Sequence, residues 1–196
     1  HDVTMIVMGS RGMGGLSGMV MGSVSASVVS HASCPVVVVR EDNHVTDSTK
    51  YGPVVVGVDG SEVSQKATAY AFREAQARGA ALIAVHTWMD MQVQASLAGL
   101  SAAQSEWADI EKEQSELLTE NLKEPREEYP EVEVKKLITR DRPVSALTEA
   151  AEGAQLLVVG SHGRGGFKGM LLGSTSRALL QSAPCPMMVV RPDEES

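Results

Sequence analysis

Aromatic residues make up only 4% of this 196-residue chain, against 43% hydrophobic residues overall. Its core must therefore be built from Val, Leu, Ala and Met. Cysteine occurs twice, at Cys34 and Cys185, too rarely for a disulfide framework and in keeping with a reducing cytoplasm, the expected location. Each cysteine precedes a proline at the same place in a repeated segment. A redox pair is one reading; a small buried hydrophobe leading into a strand is the favoured one. No apolar run approaches membrane-spanning length, and no secretory signal is legible. Nor is there an excess of positive charge: the net charge of −8 argues against nucleic acid as a partner.

What the chain does contain is a duplication. The segment Gly9 to Arg40 is written again from Gly160 to Arg191, offset by 151 residues, with half the positions identical. Gly9, Gly12, Gly14, Gly15, Gly18, Gly22 and Ser23 reappear as Gly160, Gly163, Gly165, Gly166, Gly169, Gly173 and Ser174. Each copy follows an apolar run and precedes a helix-like segment. A glycine-rich turn between a strand and a helix N-terminus presents bare backbone N–H groups to an anion, so nucleotide or phosphate binding is the leading reading. The first copy has only eight residues before it. The expected organisation is the C-terminal part of one domain at 1–40, a polar linker at 41–52, a complete sister domain at 53–192 and a polar tail at 193–196.

Within 53–192 the pattern alternates. Pro53 to Asp59, PVVVGVD, is a β-branched run without polar interruption, as expected of a strand buried on both faces. Ser61 to Gly79 carries a helical apolar face closed by glycine, and Ala81 to Thr87 reads as a second buried strand. Residues 88–102 read as irregular or weakly helical. From Ala103 an amphipathic helix, with Trp107, Ile110, Gln114, Leu117, Leu118 and Leu122 on one face, is expected to stop before Pro125. Val132 to Thr139 reads as a strand nearer the sheet edge. Then follow a helix from Pro143, a strand from Gln155 to Gly160, a helix from Ser174 to Ser182 and a strand from Pro186 to Arg191. Such alternation specifies a parallel sheet with helices on both faces. Ligands of open α/β sheets bind beyond the strand carboxyl ends, where strand order reverses. Asp59, Thr87, Asp141 and the Gly160 loop all fall at such ends.

Three familiar motifs fail. A P-loop needs a lysine between its last glycine and the hydroxyl residue, but Ser174 follows Gly173 directly. The dinucleotide fingerprint needs a further glycine where Ser17 and Lys168 stand. A nucleophile elbow is absent, since Ser161 sits in Gly-Ser-His-Gly. What remains is Gly-x2-Gly-x9-Gly-Ser, at Gly160, Gly163, Gly173 and Ser174 and again at Gly9, Gly12, Gly22 and Ser23. With VVVGVDGS ahead of it, this closely resembles the universal stress protein family in its ATP-binding, tandem-domain form.

The resemblance implies a Rossmann-like, five-stranded parallel sheet of order 3-2-1-4-5. It also implies antiparallel pairing of Val36–Arg40 with Met187–Arg191 about a two-fold axis. It implies ATP as the ligand, with Mg2+ held through the phosphates. Asp59, which opens Asp59-Gly60-Ser61, would contact the nucleoside, and the backbone at Thr87 the adenine. Gly160 and Gly163 would approach ribose and phosphates, while Gly173 and Ser174 would hold phosphates at a helix N-terminus. The candidate set is thus Asp59, Gly60, Ser61, Thr87, Gly160, His162, Gly163, Arg164, Gly165, Gly173, Ser174 and Thr175, with Gly9, Gly12, Gly22 and Ser23 as a partial second loop.

Elementary chemistry adds expectations. Side chains at Gly160 or Gly163 would fill the volume a phosphate needs. Ser174 could cap the helix it opens. Asp59 would repel phosphate and so belongs near ribose or base. His162, Arg164 and Lys168 offer a positive rim, matched in the first loop by Arg11 alone. His86 reads as a packed core histidine. The incomplete first segment leaves an exposed strand edge, so a homodimer, or disorder of residues 1–30, is expected. The leading function is an ATP-binding stress or regulatory module with little or no hydrolysis, since no general base or carboxylate pair stands beside the loop. The alternatives are an adenine-nucleotide hydrolase or nucleotidyl-transfer enzyme using Asp59-Gly60-Ser61, a cyclic AMP-binding protein, or a nucleotide-free dimerisation scaffold.

Overall fold

The computed structural model describes residues 3–10, 21–41, 43, 51–88, 104–164 and 171–192. Most of the linker, the 89–103 stretch, Arg11, Gly12, Gly165 and Lys168 lie outside them. Strands are β1 (Ile6–Gly9), β2 (Val36–Val39), β3 (Val54–Gly57), β4 (Leu82–Thr87), β5 (Val134–Thr139), β6 (Leu156–Gly160) and β7 (Met187–Val190). Helices are α1 (Ser23–His31), α2 (Glu62–Arg78), α3 (Gln104–Glu128), α4 (Pro143–Ala150) and α5 (Ser174–Ser182). Among the described residues no helix is long and apolar enough to cross a membrane.

All seven strands form one sheet of order β1-β2-β7-β6-β3-β4-β5. The sheet is therefore seven-stranded and mixed, not five-stranded and parallel, because β1 and β2 join through an antiparallel seam between β2 and β7. From β7 to β5 every neighbouring pair is parallel. The valines of β3 explain its central place: Val54, Val55 and Val56 are all 0% exposed. Val55 belongs to the core on one face of the sheet, with Val29 of α1, Leu147 of α4 and Leu179 of α5, while Val54 and Val56 belong to the core on the other, with Phe72 of α2 and Leu118 of α3. At the far edge β5 exposes Lys135 and Lys136, charges that discourage edge-to-edge pairing.

Local signals set the helix ends. Ser61 is the N-cap of α2, its side chain accepting from the Ser64 N–H, and Gly79 closes the helix at φ +60°. Pro143 occupies the first turn of α4. The helix expected to end before Pro125 instead runs to Glu128, and the Tyr129 N–H donates to Pro125 O at 2.9 Å. An interior proline costs about 3 kcal/mol. Full burial of Leu118 and Leu122 contributes about 1.5–3 kcal/mol each, and Tyr129 packs against Phe72 beyond the proline. Packing outweighs the lost hydrogen bond.

The seam is internally symmetric. Val36 faces Val189, Val37 faces Met188 and Val38 faces Met187. Residues 37 and 188 are themselves repeat equivalents, 151 apart, so a local two-fold axis passes between them. On either side the ladders repeat: Ile6 pairs with Val36 as Leu157 pairs with Met187. The symmetry stops at β1, the sheet edge. Val7 is 65% exposed where its equivalent Val158 is 0% exposed, because among the described residues nothing covers β1 as β3 and α2 cover β6.

Neither cysteine is in a disulfide. Cys185 is 3% exposed in the core beside β7, and burial pushes its thiol from 9.0 up to about 12, against a smaller lowering by a hydrogen bond from the Leu157 backbone. The unfolded thiol ionises first, so the folded state binds more protons between these values and stability falls as pH rises through this window. Replacing Cys185 with Ala should therefore shallow the decline of melting temperature between about pH 9 and 12. A decline parallel to that of the unaltered chain would show that this thiol ionises freely when folded.

Candidate functional site

Strand order reverses between β3 and β6. From β3 the chain crosses by α2 to β4 on one side, and from β6 by α5 to β7 on the other. A crevice beyond the carboxyl ends follows from that divergence. The β3–β4 register pairs Gly57 with Val85, which brings Asp59 level with Thr87. The β3–β6 register pairs Val56 with Val158, which brings Val58 level with Gly160. Asp59, Thr87 and the Gly160 loop thus share one end of the sheet.

Asp59 ties this end together. Its Oδ1 accepts from the Ser61 N–H at 2.9 Å and from the Ser61 hydroxyl at 2.7 Å. Its Oδ2 accepts from the Arg164 N–H at 3.0 Å, across from the β6–α5 loop. The Asp59 N–H donates to Ser64 Oγ at 3.0 Å. Between Asp59 and Ser61, Gly60 sits at φ +78°, a left-handed conformation that favours glycine. The Arg164 guanidinium covers this turn, its Nη2 within 2.5 Å of where a Cβ on Gly60 would stand.

The loop glycines serve a purpose different from the one expected. A Cβ on Gly163 would overlap Oδ2 of Asp59, and one on Gly160 would come 2.9 Å from Val63 Cγ1. Neither direction is toward open space for a phosphate; both are toward protein. Nor are these backbones left-handed: among the described glycines only Gly60, Gly79 and Gly153 have positive φ. The missing side chains let the loop close on Asp59 and α2.

Ser174 is likewise not the cap. Gly173 is the N-cap of α5, with no side-chain cap bond, and its own N–H donates to Ser161 O at 2.7 Å. The first recorded backbone bond of α5 is from the Arg177 N–H to Gly173 O at 3.0 Å. Among the described residues the Ser174, Thr175 and Ser176 N–H groups have no backbone partner, as is usual in the first turn of a helix. The Ser176 hydroxyl donates to Gly160 O at 2.7 Å, anchoring the helix to β6.

The first loop repeats these bonds: Ser25 Oγ donates to Gly9 O at 3.0 Å, and the Gly22 N–H to Ser10 O at 2.9 Å. Gly22 is the N-cap of α1, ahead of Ser23. The antiparallel seam turns β1 opposite to β6, so Gly9, Gly22 and Ser23 lie at the other end of the sheet. Among the described residues the two loops do not meet.

His86, behind Thr87, is buried as expected of a packed histidine. Its Nδ1 donates to Val58 O at 2.7 Å, and its Nε2 meets the Gln114 side-chain amide at 2.9 Å. The buried Ser64 and Ser176, both site supports, escaped sequence reasoning. Ser176 had a signal, since it repeats Ser25, whereas Ser64 had only its place three residues after a capping serine. Among the described residues no group of three His, Cys, Asp or Glu side chains could hold a metal ion.

The model of the universal stress protein family matches residues 1–40 and 50–191. The universal stress protein Rv2005c of Mycobacterium tuberculosis is 46% identical over 191 residues, covering 97% of this chain and 63% of that protein. This chain therefore spans less than two thirds of the length of the curated relatives it matches. A universal stress protein crystal structure from Archaeoglobus fulgidus superposes with a TM-score of 0.62 at 25% identity, over 98% of this chain and 62% of that one. Another from Archaeoglobus fulgidus, solved in complex with dAMP, shares the fold at a TM-score of 0.52 and 23% identity over 71% of this chain and 98% of that one. On the family match and the level of identity, the chain belongs to the universal stress protein family.

Proposed function

We propose that the chain binds ATP in the crevice between β3 and β6 and acts as a nucleotide-dependent stress or regulatory module with little or no hydrolysis. The observation that carries this reading is the meeting, at one strand-order reversal, of a hydrogen-bonded carboxylate and a helix N-terminus with open N–H groups. Asp59 has three of its roughly four lone-pair positions filled from within the protein. The remaining position suits a ribose hydroxyl, which donates, and not a phosphate, which accepts. Phosphates belong instead at Ser174 and Thr175, just past the Gly173 N-cap, where N–H groups and the helix dipole favour negative charge. Thr87, level with Asp59, would flank the base, and Arg164 the polyphosphate. Mg2+ would be held through the phosphates. The nucleotide bound by the archaeal relative, dAMP, is of this chemical class.

The hydrolase or nucleotidyl-transfer reading needs the Ser61 hydroxyl or Asp59 free for chemistry. Ser61 Oγ donates to Asp59 and accepts from Ser64 at the head of α2, a structural commitment that favours binding without turnover. In the same reading, residues 1–40 are the end of a sister domain, 53–192 is a complete one, and a second chain completes β1 in a homodimer.

Two measurements test the site. Calorimetry on Asp59→Ala should show ATP, ADP and AMP weakened by similar factors of about tenfold, or 1.4 kcal/mol, because all three share the nucleoside. A loss confined to ATP would place the carboxylate at the γ-phosphate and restore the enzyme reading. Gly163→Ala should weaken all three similarly, because its methyl group displaces the Asp59 carboxylate. In the Asp59→Ala background the same change should cost little. Additive losses would mean that Gly163 touches the ligand directly.

A further inference from the structure

The β6–α5 loop holds a hydroxyl–imidazole pair, Ser161 and His162; His162 is expected at the phosphate rim, but no role has been assigned to Ser161 or to the bond between them. Ser161 is 0% exposed. Its N–H donates to Val190 O and its carbonyl accepts from the Gly173 N–H, both at 2.7 Å, so its backbone is held on two sides. Its Oγ lies 3.0 Å from His162 Nδ1, the one side-chain partner of that hydroxyl among the described residues.

A buried hydroxyl has a single proton, and that proton needs an acceptor. If Nδ1 carried the ring proton it would donate to Oγ, and the hydroxyl proton would be stranded. The arrangement that satisfies both groups has Oγ–H donating to a bare Nδ1, which places the ring proton on Nε2. We propose that Ser161 is a positioning residue that fixes His162 in its Nε2–H tautomer, so that the half-buried ring presents a directed N–H donor to an oxygen of the bound nucleotide.

The ligand half of this proposal rests on the nucleotide reading above. Placement supports it: His162 packs against the N-cap of α5, its Cα 3.2 Å from where a Cβ on Gly173 would stand. His162 therefore stands beside the same helix N-terminus that would receive phosphate. In the first loop Ser10 makes the equivalent backbone bonds, donating to Val39 O and accepting from the Gly22 N–H, but the next residue is Arg11. Only the second loop has a ring to orient.

Long-range 15N–1H spectra of the imidazoles in the full chain, at about pH 8 where an ordinary imidazole is uncharged, read the tautomer directly and without nucleotide. His162 should carry its proton on Nε2, and in Ser161→Ala its nitrogen shifts should move toward the tautomeric average. ATP affinity should fall about three- to tenfold in Ser161→Ala, the effect of one misdirected hydrogen bond. His162→Gln, whose amide reaches the Nε2 position, should stay within about threefold of the unaltered chain, while His162→Asn and His162→Ala should lose about tenfold. A proton on Nδ1, or a tautomer unchanged in Ser161→Ala, would overturn the positioning role. Retained affinity in His162→Asn with loss in His162→Gln would overturn donation from Nε2. If the unaltered chain bound no ATP, the nucleotide reading and the ligand half would both fall, while the same spectra would still decide the role of Ser161.

Discussion

The carboxylate of Asp59 is the constraint on which the site depends. It accepts from Ser61 on its own turn and from Arg164 across the crevice. Those bonds join the β3–α2 turn to the β6–α5 loop, the two segments that diverge at the strand-order reversal. Neighbouring features follow from it. Gly60 turns left-handed to let Ser61 reach back. Gly163 has no side chain because one would overlap Oδ2, and Ser64 holds the Asp59 N–H from the first turn of α2. A single acidic group thus ties the two segments together and leaves one acceptor position unfilled among the described residues.

The second constraint is the β2–β7 seam. It is made of valine and methionine that are almost entirely buried: Val36 at 1%, Val38 at 2%, Met188 at 0% and Val189 at 1%. Because Val37 and Met188 lie on a local two-fold axis, the seam presents the same backbone pairing from each half, with Met187 and Met188 standing where β2 has Val36 and Val37. It also sets Gly9 and Gly22 at the opposite end of the sheet from Gly160 and Gly173. The sheet then ends at β1 with Val7 uncovered, an edge that invites another strand.

Much of this was legible in the sequence because the signals are strong and local. Uninterrupted valines marked β3, Gly79 marked the end of α2, and the 151-residue repeat marked both loops. Less legible was anything that depends on direction. A glycine announces that a side chain is missing, not where it would have pointed; at Gly160 and Gly163 it would have pointed into protein. Pro125 signals a helix end, yet burial of Leu118 and Leu122 carries α3 past it. Ser174 has the right chemistry for a cap but stands one residue too late, after Gly173. The sheet is seven-stranded because the antiparallel pairing expected of Val36–Arg40 with Met187–Arg191 forms and carries β2 and β1 onto the five parallel strands.

Titration of ATP into the 15N-labelled chain, followed by backbone amide shifts, tests the central claim most directly. The account predicts saturable shifts concentrated at Asp59 to Ser61, Thr87, Gly160 to Arg164 and Ser174 to Ser176. No shifts at millimolar ATP, or shifts confined to surfaces away from the β3–β6 crevice, would contradict it.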